Sequence, residues 1–330
     1  MNNRPIIGLL LGDASGVGPE IVAKLIARGI TESMCRPVII GDIRTFEAGL
    51  RTFGGNAEYY PIRDIDEADW TKGYPILDTG DQDPQRITYG KFDSYCGTAC
   101  INMLKLACDL CKKRKIAGFC FAPFNKTALK MCGCKVESEH YLMAEEFGVA
   151  GPFGEINVVD KLMSVRVTSH IPIKEVAKTI KIEKILSTIE LGNTTAKIFG
   201  IRSPRIGVAA LNPHCGENGK CGNEEIDVIQ PAIYKAQASE IDVKGPYSSD
   251  VLFIKAFNGE FDVTVTMYHD QGQIALKLVG FDRGITVSGG MPYPIATCAH
   301  GTAYDLAGKG IAKTSAFEHA VAFVSQAAWV

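Results

Sequence analysis

The chain predicts an α/β fold with a mostly parallel sheet, divided between two domains, and three observations carry that expectation. Continuous apolar runs, as in buried parallel strands, alternate with amphipathic segments of helical period. Several of those runs end in glycine, proline or histidine loops, where α/β proteins present their chemistry. At 330 residues the chain exceeds what one core usually holds.

Taken in order, Pro5-Ile-Ile-Gly-Leu-Leu-Leu11 reads as a buried strand, and Ile21 to Arg28 as an amphipathic helix. Between them lies Gly12-Asp-Ala-Ser-Gly-Val-Gly-Pro-Glu20, with Pro19 and Glu20 suited to a first helical turn. Such a loop can offer N–H groups to an anion, or be a structural turn. It is not G-x-G-x-x-G in register, so the common dinucleotide fingerprint is absent. Pro37 to Asp42 repeats the strand with a Gly-Asp end, 60–76 reads as a loop with one short strand, and 98–114 as a helix. Ile116 to Ala122 is a strand ending in Pro123-Phe-Asn-Lys-Thr127, with a helix from Ala128. Lys126 is either a pocket lysine or part of the cap of that loop. The next helix opens at Glu137-Ser-Glu-His-Tyr, with Ser138 as its expected cap and His140 near the start, where the helix dipole disfavours a cation. Strands follow at 163–168, 205–211 and 262–267, with helices at 174–191 and from Asn223. The last strand delivers Tyr268-His269-Asp270-Gln271-Gly272, expected as a glycine turn.

Composition narrows the function classes. With 46% apolar and 22% charged residues and a net charge of −2, nothing marks a nucleic-acid surface. Lys112-Lys-Arg-Lys115 is short and closes a helix. No signal pattern and no apolar run near the roughly 20 residues of a membrane span is seen, so a cytoplasmic protein is expected. Eleven cysteines include C-x-x-C at Cys108/Cys111 and C-x-C at Cys132/Cys134. A zinc knuckle is one reading. Helical spacing of Cys96, Cys100, Cys108 and Cys111 favours the other, reduced thiols buried as small apolar side chains.

Three strands end alike, in Val-Thr-Ser-His170, Leu-Asn-Pro-His214 and Met-Tyr-His269. Parallel strands bring their C-terminal ends to one edge. Three neutral imidazoles with open positions make a catalytic divalent-metal site, with Zn–N of about 2.0–2.1 Å; ligand softness favours Zn, Co or Ni over Mg. Asp270 is placed to orient His269.

Ala299-His-Gly-Thr-Ala-Tyr-Asp-Leu-Ala-Gly-Lys-Gly-Ile-Ala312 resembles the HGSAPDIAGKGIA stretch of isocitrate and isopropylmalate dehydrogenases, and the Gly12 to Glu20 loop resembles their GDGIGPE. A closer resemblance, nearly end to end, is to the 4-hydroxythreonine-4-phosphate dehydrogenase (PdxA) family. It is carried by the 12–20 loop, Pro123-Phe-Asn-Lys126, Thr168-Ser-His170-Ile-Pro-Ile, Leu211-Asn-Pro-His214-Cys-Gly-Glu, Gly245-Pro-Tyr-Ser-Ser-Asp250, Tyr268 to Gly272 and His300-Gly-Thr-Ala303. The resemblance implies a two-domain, three-layer isocitrate/isopropylmalate dehydrogenase-like fold with its active site in the interdomain cleft. The expected division is 1–125 plus 283–330 as an outer domain with cofactor loops, and 126–282 as a central domain with metal ligands and dimer interface. It implies a divalent metal (Zn, with Co, Mg or Mn as alternatives) on His170, His214 and His269, one of them, by analogy His269, from the partner of a homodimer. It implies NAD, with Gly12, Asp13, Gly216, Glu217, His300 and Gly301 as cofactor-binding residues. His300 has a helix-cap or adenine-pocket reading beside a structural one.

For the substrate, the resemblance implies contacts at His140, Tyr141, Lys277, Thr286 and Ile295, and catalytic roles for His140, Lys277 and Asp270. Here the chain departs from the family. Tyr141 stands where the family has a substrate-binding Thr, Thr286 where it has Asn, and Ile295 where it has Arg. Loss of an arginine removes a bidentate grip on carboxylate or phosphate. The expected activity is therefore metal- and NAD-dependent oxidation of a hydroxy acid or its phosphate, with decarboxylation where a carboxylate lies β to the new ketone. The family activity, in pyridoxine biosynthesis, stands beside two alternatives: a paralogue for four-carbon sugar-acid phosphates or cis-dihydrodiol carboxylates, and a non-catalytic metal- or ligand-binding protein. His319 is expected as a packing or surface residue of a C-terminal helix, and Asp250 as a turn residue or one that approaches the site.

Overall fold

The computed structural model describes residues 4–133 and 138–327. The strands among them are β1 Ile6–Leu10, β2 Arg36–Gly41, β3 Tyr59–Ile62, β4 Tyr74–Asp78, β5 Gly118–Phe121, β6 Gly154–Val159, β7 Leu162–Arg166, β8 Ile206–Ala209, β9 Val243–Tyr247, β10 Val263–Thr266, β11 Ile285–Gly289 and β12 Ile295–Cys298. The α-helices are α1 Gly18–Ala27, α2 Ile43–Phe53, α3 Ser94–Lys112, α4 Lys126–Met131, α5 Glu139–Phe147, α6 Val176–Thr179, α7 Ile182–Ile198, α8 Gln230–Ala238, α9 Ser249–Phe257, α10 His269–Gly280 and α11 Ser315–Ala327. The α/β class expected from the alternation is the class observed.

Two compact units result, Met1–Val149 with Met291–Val330, and Ala150–Gly290. The breaks lie beyond the expected 125/126 and 282/283. Helices α4 and α5 both pack on α3. A Cβ on Gly97 of α3 would sit 2.3 Å from the Ala128 carbonyl oxygen, so only glycine permits that approach. At the other break, β11 pairs with β6 and so stays with the second unit.

In the first unit the strands run β3-β4-β2-β1-β5-β12, every pair parallel. The Pro/Asp-rich stretch read as a loop with one strand contains two, β3 and β4. Asp42 caps α2, accepting from the Arg44 N–H at 2.9 Å. Ser138 stands at the N-cap of α5, but its side chain makes no capping bond. Cys96, Cys100, Cys108 and Cys111 line the buried side of α3. Burial pushes the Cys96 and Cys108 thiols up to about 12, so they stay protonated. Among the described residues these thiols form no metal-ligating cluster; Cys134 lies outside the described residues.

In the second unit the order is β11-β6-β7-β10-β8-β9. Pairs from β7 to β9 are parallel, whereas β6 is antiparallel to both β11 and β7. The exception arises from a tight β6–β7 hairpin whose turn puts Asp160 at φ +54°. Alternation gives this sheet an apolar face, with Val165, Val263 and Val265, that packs on α7. A Cβ on Gly192 of α7 would lie 2.9 Å from Val263 Cγ1. The opposite face carries Ser164, Arg166, Thr264, Thr266, Asn157 and Glu155. Helix α10 lies on that polar face, because a Cβ on Gly272 would meet Ser164 Oγ at 3.1 Å and Thr266 Oγ1 at 3.3 Å.

Three local expectations change. Residues 269–272 form the first turn of α10, so Gly272 serves close helix–sheet packing and not a turn. The helix expected at 174–191 is broken at Ile180 and Lys181 into α6 and α7. The helix expected from Asn223 opens as a π-turn, Glu225–Ile229, before α8.

Candidate active site

The ends of β7 and β10 set two histidines side by side. Arg166 and Thr266 are direct partners in the parallel ladder. Pairing continues past them through Val167 N–H to Thr266 O at 2.8 Å and Thr168 N–H to Met267 O at 3.1 Å. His170 and His269 then emerge with ring centroids 5.5 Å apart and planes at 43°. His269 Nδ1 lies 2.7 Å from Asp270 Oδ1. An ionised carboxylate only accepts, so Nδ1–H donates and the Nε2 lone pair is left to ligate. Gln271 ties the strand ends beneath: its Oε1 accepts from Met267 N–H at 2.6 Å, and its Nε2 donates to Ala210 O and Ser249 Oγ, each at 2.7 Å.

His214 is presented differently. After β8 the chain enters a left-handed turn in which His214, Cys215, Gly216, Glu217 and Asn218 all have φ between +45° and +78°. The buried Glu225 pins its base, accepting from the Leu211 and Asn212 N–H groups at 2.8 Å each. The His214 side chain is 72% exposed, and its Nδ1 lies 2.9 Å from Glu217 Oε1. That hydrogen bond and the charge of Glu217 raise the imidazole pKa above its ordinary value. The ligand atoms of His170, His214 and His269 do not all three lie within 4.8 Å of one another in this chain. The left-handed turn leaves the His214 side chain exposed, and His170 and His269 are the imidazoles in ring contact.

The other candidate residues of the second unit have these surroundings. Lys277 is exposed on α10, and Asp270 is exposed apart from its bond to His269. Thr286 is buried on β11, with Oγ1 3.4 Å from Asn157 Nδ2. Asp250 accepts from Ser248 Oγ at 2.6 Å at the start of α9. That bond comes first in holding its carboxyl below the usual range, and the charge of His214 contributes. Nothing in the histidine spacing points to Arg166, whose side chain is only 11% exposed and faces Glu155 at 3.1 Å. Its signal is the arginine that interrupts Met-Ser-Val-Arg-Val, on the face opposite the valines.

In the first unit, Gly12 takes φ +76°, where a Cβ would meet the Ala122 carbonyl oxygen at 2.7 Å. Asp13 is fully buried. Its Oδ1 accepts from Ser15 N–H at 2.9 Å and Ser15 Oγ at 2.6 Å, and its Oδ2 from Tyr304 O–H at 2.7 Å. It therefore ties the 12–20 loop to the Tyr304 segment, which sequence alone did not show. His300 is exposed, with Nδ1 2.9 Å from Gly301 O, and a Cβ on Gly301 would meet open space. His140 is buried on α5 beside Glu139, and Tyr141 is 45% exposed. Ile295 is fully buried on β12 opposite Phe119. His319 bonds through Nδ1 to Ser315 O within α11, a helix-packing role.

Residues 33–324 match the family model of the pyridoxal phosphate biosynthetic protein PdxA. The chain belongs to the PdxA family. A PdxA-type relative from Rhizobium meliloti (strain 1021) is 38% identical over 327 residues, 98% of this chain and 94% of its own. The D-threonate 4-phosphate dehydrogenase of Cupriavidus necator (strain ATCC 17699) is 37% identical over 310 residues, 93% of this chain and 92% of its own. The crystal structure of a 4-hydroxythreonine-4-phosphate dehydrogenase from Burkholderia phymatum superposes with a TM-score of 0.88 at 36% identity, covering 99% of each chain. The fold is thus that of solved PdxA-family structures, and the relatives are named as dehydrogenases. No helix among the described residues is long and apolar enough to cross a membrane.

Proposed function

We propose that this PdxA-family chain is an NAD- and divalent-metal-dependent dehydrogenase of a four-carbon hydroxy-acid phosphate, with D-threonate 4-phosphate as first candidate and 4-hydroxythreonine 4-phosphate as the second. The observation that carries the reading is the His170–His269 pair at the ends of adjacent parallel strands, with Asp270 setting the His269 tautomer. The donor set suits a borderline metal such as zinc. When bound, the metal would polarise the substrate hydroxyl and NAD would accept the hydride. His170 and His269 would hold the ion, and His214, kept in orientation by Glu217, would supply the third nitrogen in the assembled protein. Asp270 holds the Nδ1 proton of His269 and keeps Nε2 directed outward. Lys277, two turns along α10, supplies a mobile positive charge for an anionic substrate group.

A homodimer is part of this reading. Helices α9 and α10 expose Val251, Ile254, Ile274, Leu278 and Phe281, the last two 82% and 76% exposed. Such an apolar patch suits burial against a second copy. The choice of D-threonate 4-phosphate is supported by the Cupriavidus necator relative and by the departures at Tyr141, Thr286 and Ile295. The test is NADH formation by the purified chain with each substrate and Zn, Co, Mg or Mn. His170→Ala is expected to abolish both metal binding by calorimetry and turnover while leaving the melting temperature nearly unchanged.

A further inference from the structure

The polar face of the second unit's sheet carries a donor-rich array beside the histidine pair. Arg166 ends β7, four residues before His170. Its Nε donates to Ser169 Oγ at 2.9 Å, its Nη2 to Glu155 Oε2 at 3.1 Å, and its Nη1 to Asn157 Oδ1. Asn157 Oδ1 also accepts from Gln273 Nε2 of α10. Two donors on one oxygen fix the amide, which leaves Nδ2 turned toward Thr286 Oγ1. Two residues along β11, Ser288 faces the same side opposite Glu155. Its hydroxyl is buried and has no hydrogen-bond partner among the described residues.

The balance of this array favours an anion. A guanidinium has five N–H donors, and the three bonds above leave two of them over. Asn157, Gln273 and Ser288 add further donors beside the carboxylate of Glu155. Arg166, Asn157, Glu155, Ser169 and Gln273 are only part-buried, so the array is within reach of a small ligand. Lys277 lies one turn beyond Gln273 on α10.

We infer that Arg166 is the substrate's anion-recognition residue, its guanidinium framed by Asn157 and Gln273 and gripping carboxylate or phosphate oxygens while the hydroxyl carbon lies toward His170 and His269. This rests on the dehydrogenase reading above. Glu155 and Ser169 fix the plane of the fork before substrate arrives, and so reduce the ordering cost of binding. A planar fork suits a two-oxygen edge, which an ammonium does not reproduce.

The test uses Arg166→Lys, Arg166→Gln and the double variant Glu155→Gln/Arg166→Gln, which avoids stranding the carboxylate should Arg166→Gln alone fail to fold. KM and kcat are measured with D-threonate 4-phosphate. Binding of inorganic phosphate and of D-threonate to the full chain is measured by calorimetry, without turnover. The expected result is a rise in KM of about 10- to 100-fold with a much smaller change in kcat, together with loss of one anion's binding. Loss of phosphate binding assigns the fork to the phosphate end of the substrate, and loss of threonate binding to the carboxylate end. Folded variants with KM within about twofold of wild type and both anions still bound would overturn the assignment. Wild-type protein that binds an anion through Arg166 but oxidises none of the substrates would remove the dehydrogenase reading and leave the subsite. Turnover with unchanged KM in Arg166→Lys would do the reverse.

Discussion

Replacing Glu225 by alanine should release the loop that carries His214. The carboxylate is 3% exposed. It accepts from two backbone N–H groups at 2.8 Å and from Asn212 Nδ2 at 3.0 Å. Its Oε2 also lies against the left-handed turn, 2.8 Å from where a Cβ on Gly216 would be. Alanine leaves two part-buried amides without this acceptor, at about 1–3 kcal/mol each. Four non-glycine residues of the turn, at φ +45° to +57°, each cost on the order of 1–2 kcal/mol. Without its anchor the turn relaxes toward ordinary φ values, which recovers part of that strain. A net loss of about 3–5 kcal/mol is expected for Glu225→Ala, and about 1–2 kcal/mol for Glu225→Gln, which keeps one oxygen for both amides. Urea unfolding followed by circular dichroism measures the loss, and zinc titration reports on His214. Glu225→Ala within about 1 kcal/mol of wild type, with unchanged zinc affinity, would refute the claim that this carboxylate holds the turn.

Three further outcomes follow from the same structure. Burial would raise the Asp42 carboxyl, but the Arg44 guanidinium and the N–H groups of Gln82 and Arg44 outweigh it and hold the pKa below the ordinary value. Its stabilisation is full above the unfolded value of about 3.9 and is lost as pH falls through the lower folded value; Asp42→Asn should cost about 1–2 kcal/mol at neutral pH and progressively less in acid. Native alkylation mapped by mass spectrometry should modify the exposed Cys221 well before the buried Cys96, Cys100, Cys108 and Cys111; early labelling of α3 would contradict its packing. Leu278→Asp should convert a dimer to a monomer in light scattering, and a monomeric wild type would remove the proposed α10 interface.

The parts of the fold that could be read from sequence are those set by contiguous pattern. Strands β1, β2, β5, β7, β8 and β10 are apolar runs or clear alternations, and they stand within a few residues of where periodicity puts them. Strands β6, β9, β11 and β12 escape that test. Gly154-Glu-Ile-Asn and Val243-Lys-Gly-Pro-Tyr mix polar or breaking residues into strands that neighbouring pairs stabilise. The site divides in the same way. That His170 and His269 meet follows from parallel strands ending together, and needs no knowledge of side-chain packing. The left-handed turn at His214 depends on Glu225 from the following helix, and the Arg166 array on hairpin register and on α10 lying close at Gly272. Both are tertiary facts, invisible to a local pattern.

Whether the paired imidazoles of His170 and His269 serve a dehydrogenase is read from the purified chain incubated with NAD, zinc and D-threonate 4-phosphate or 4-hydroxythreonine 4-phosphate. The prediction is NADH appearing with at least one of them and abolished by His269→Ala. No NADH from either substrate with any of Zn, Co, Mg or Mn, and no NAD binding by calorimetry, would contradict it.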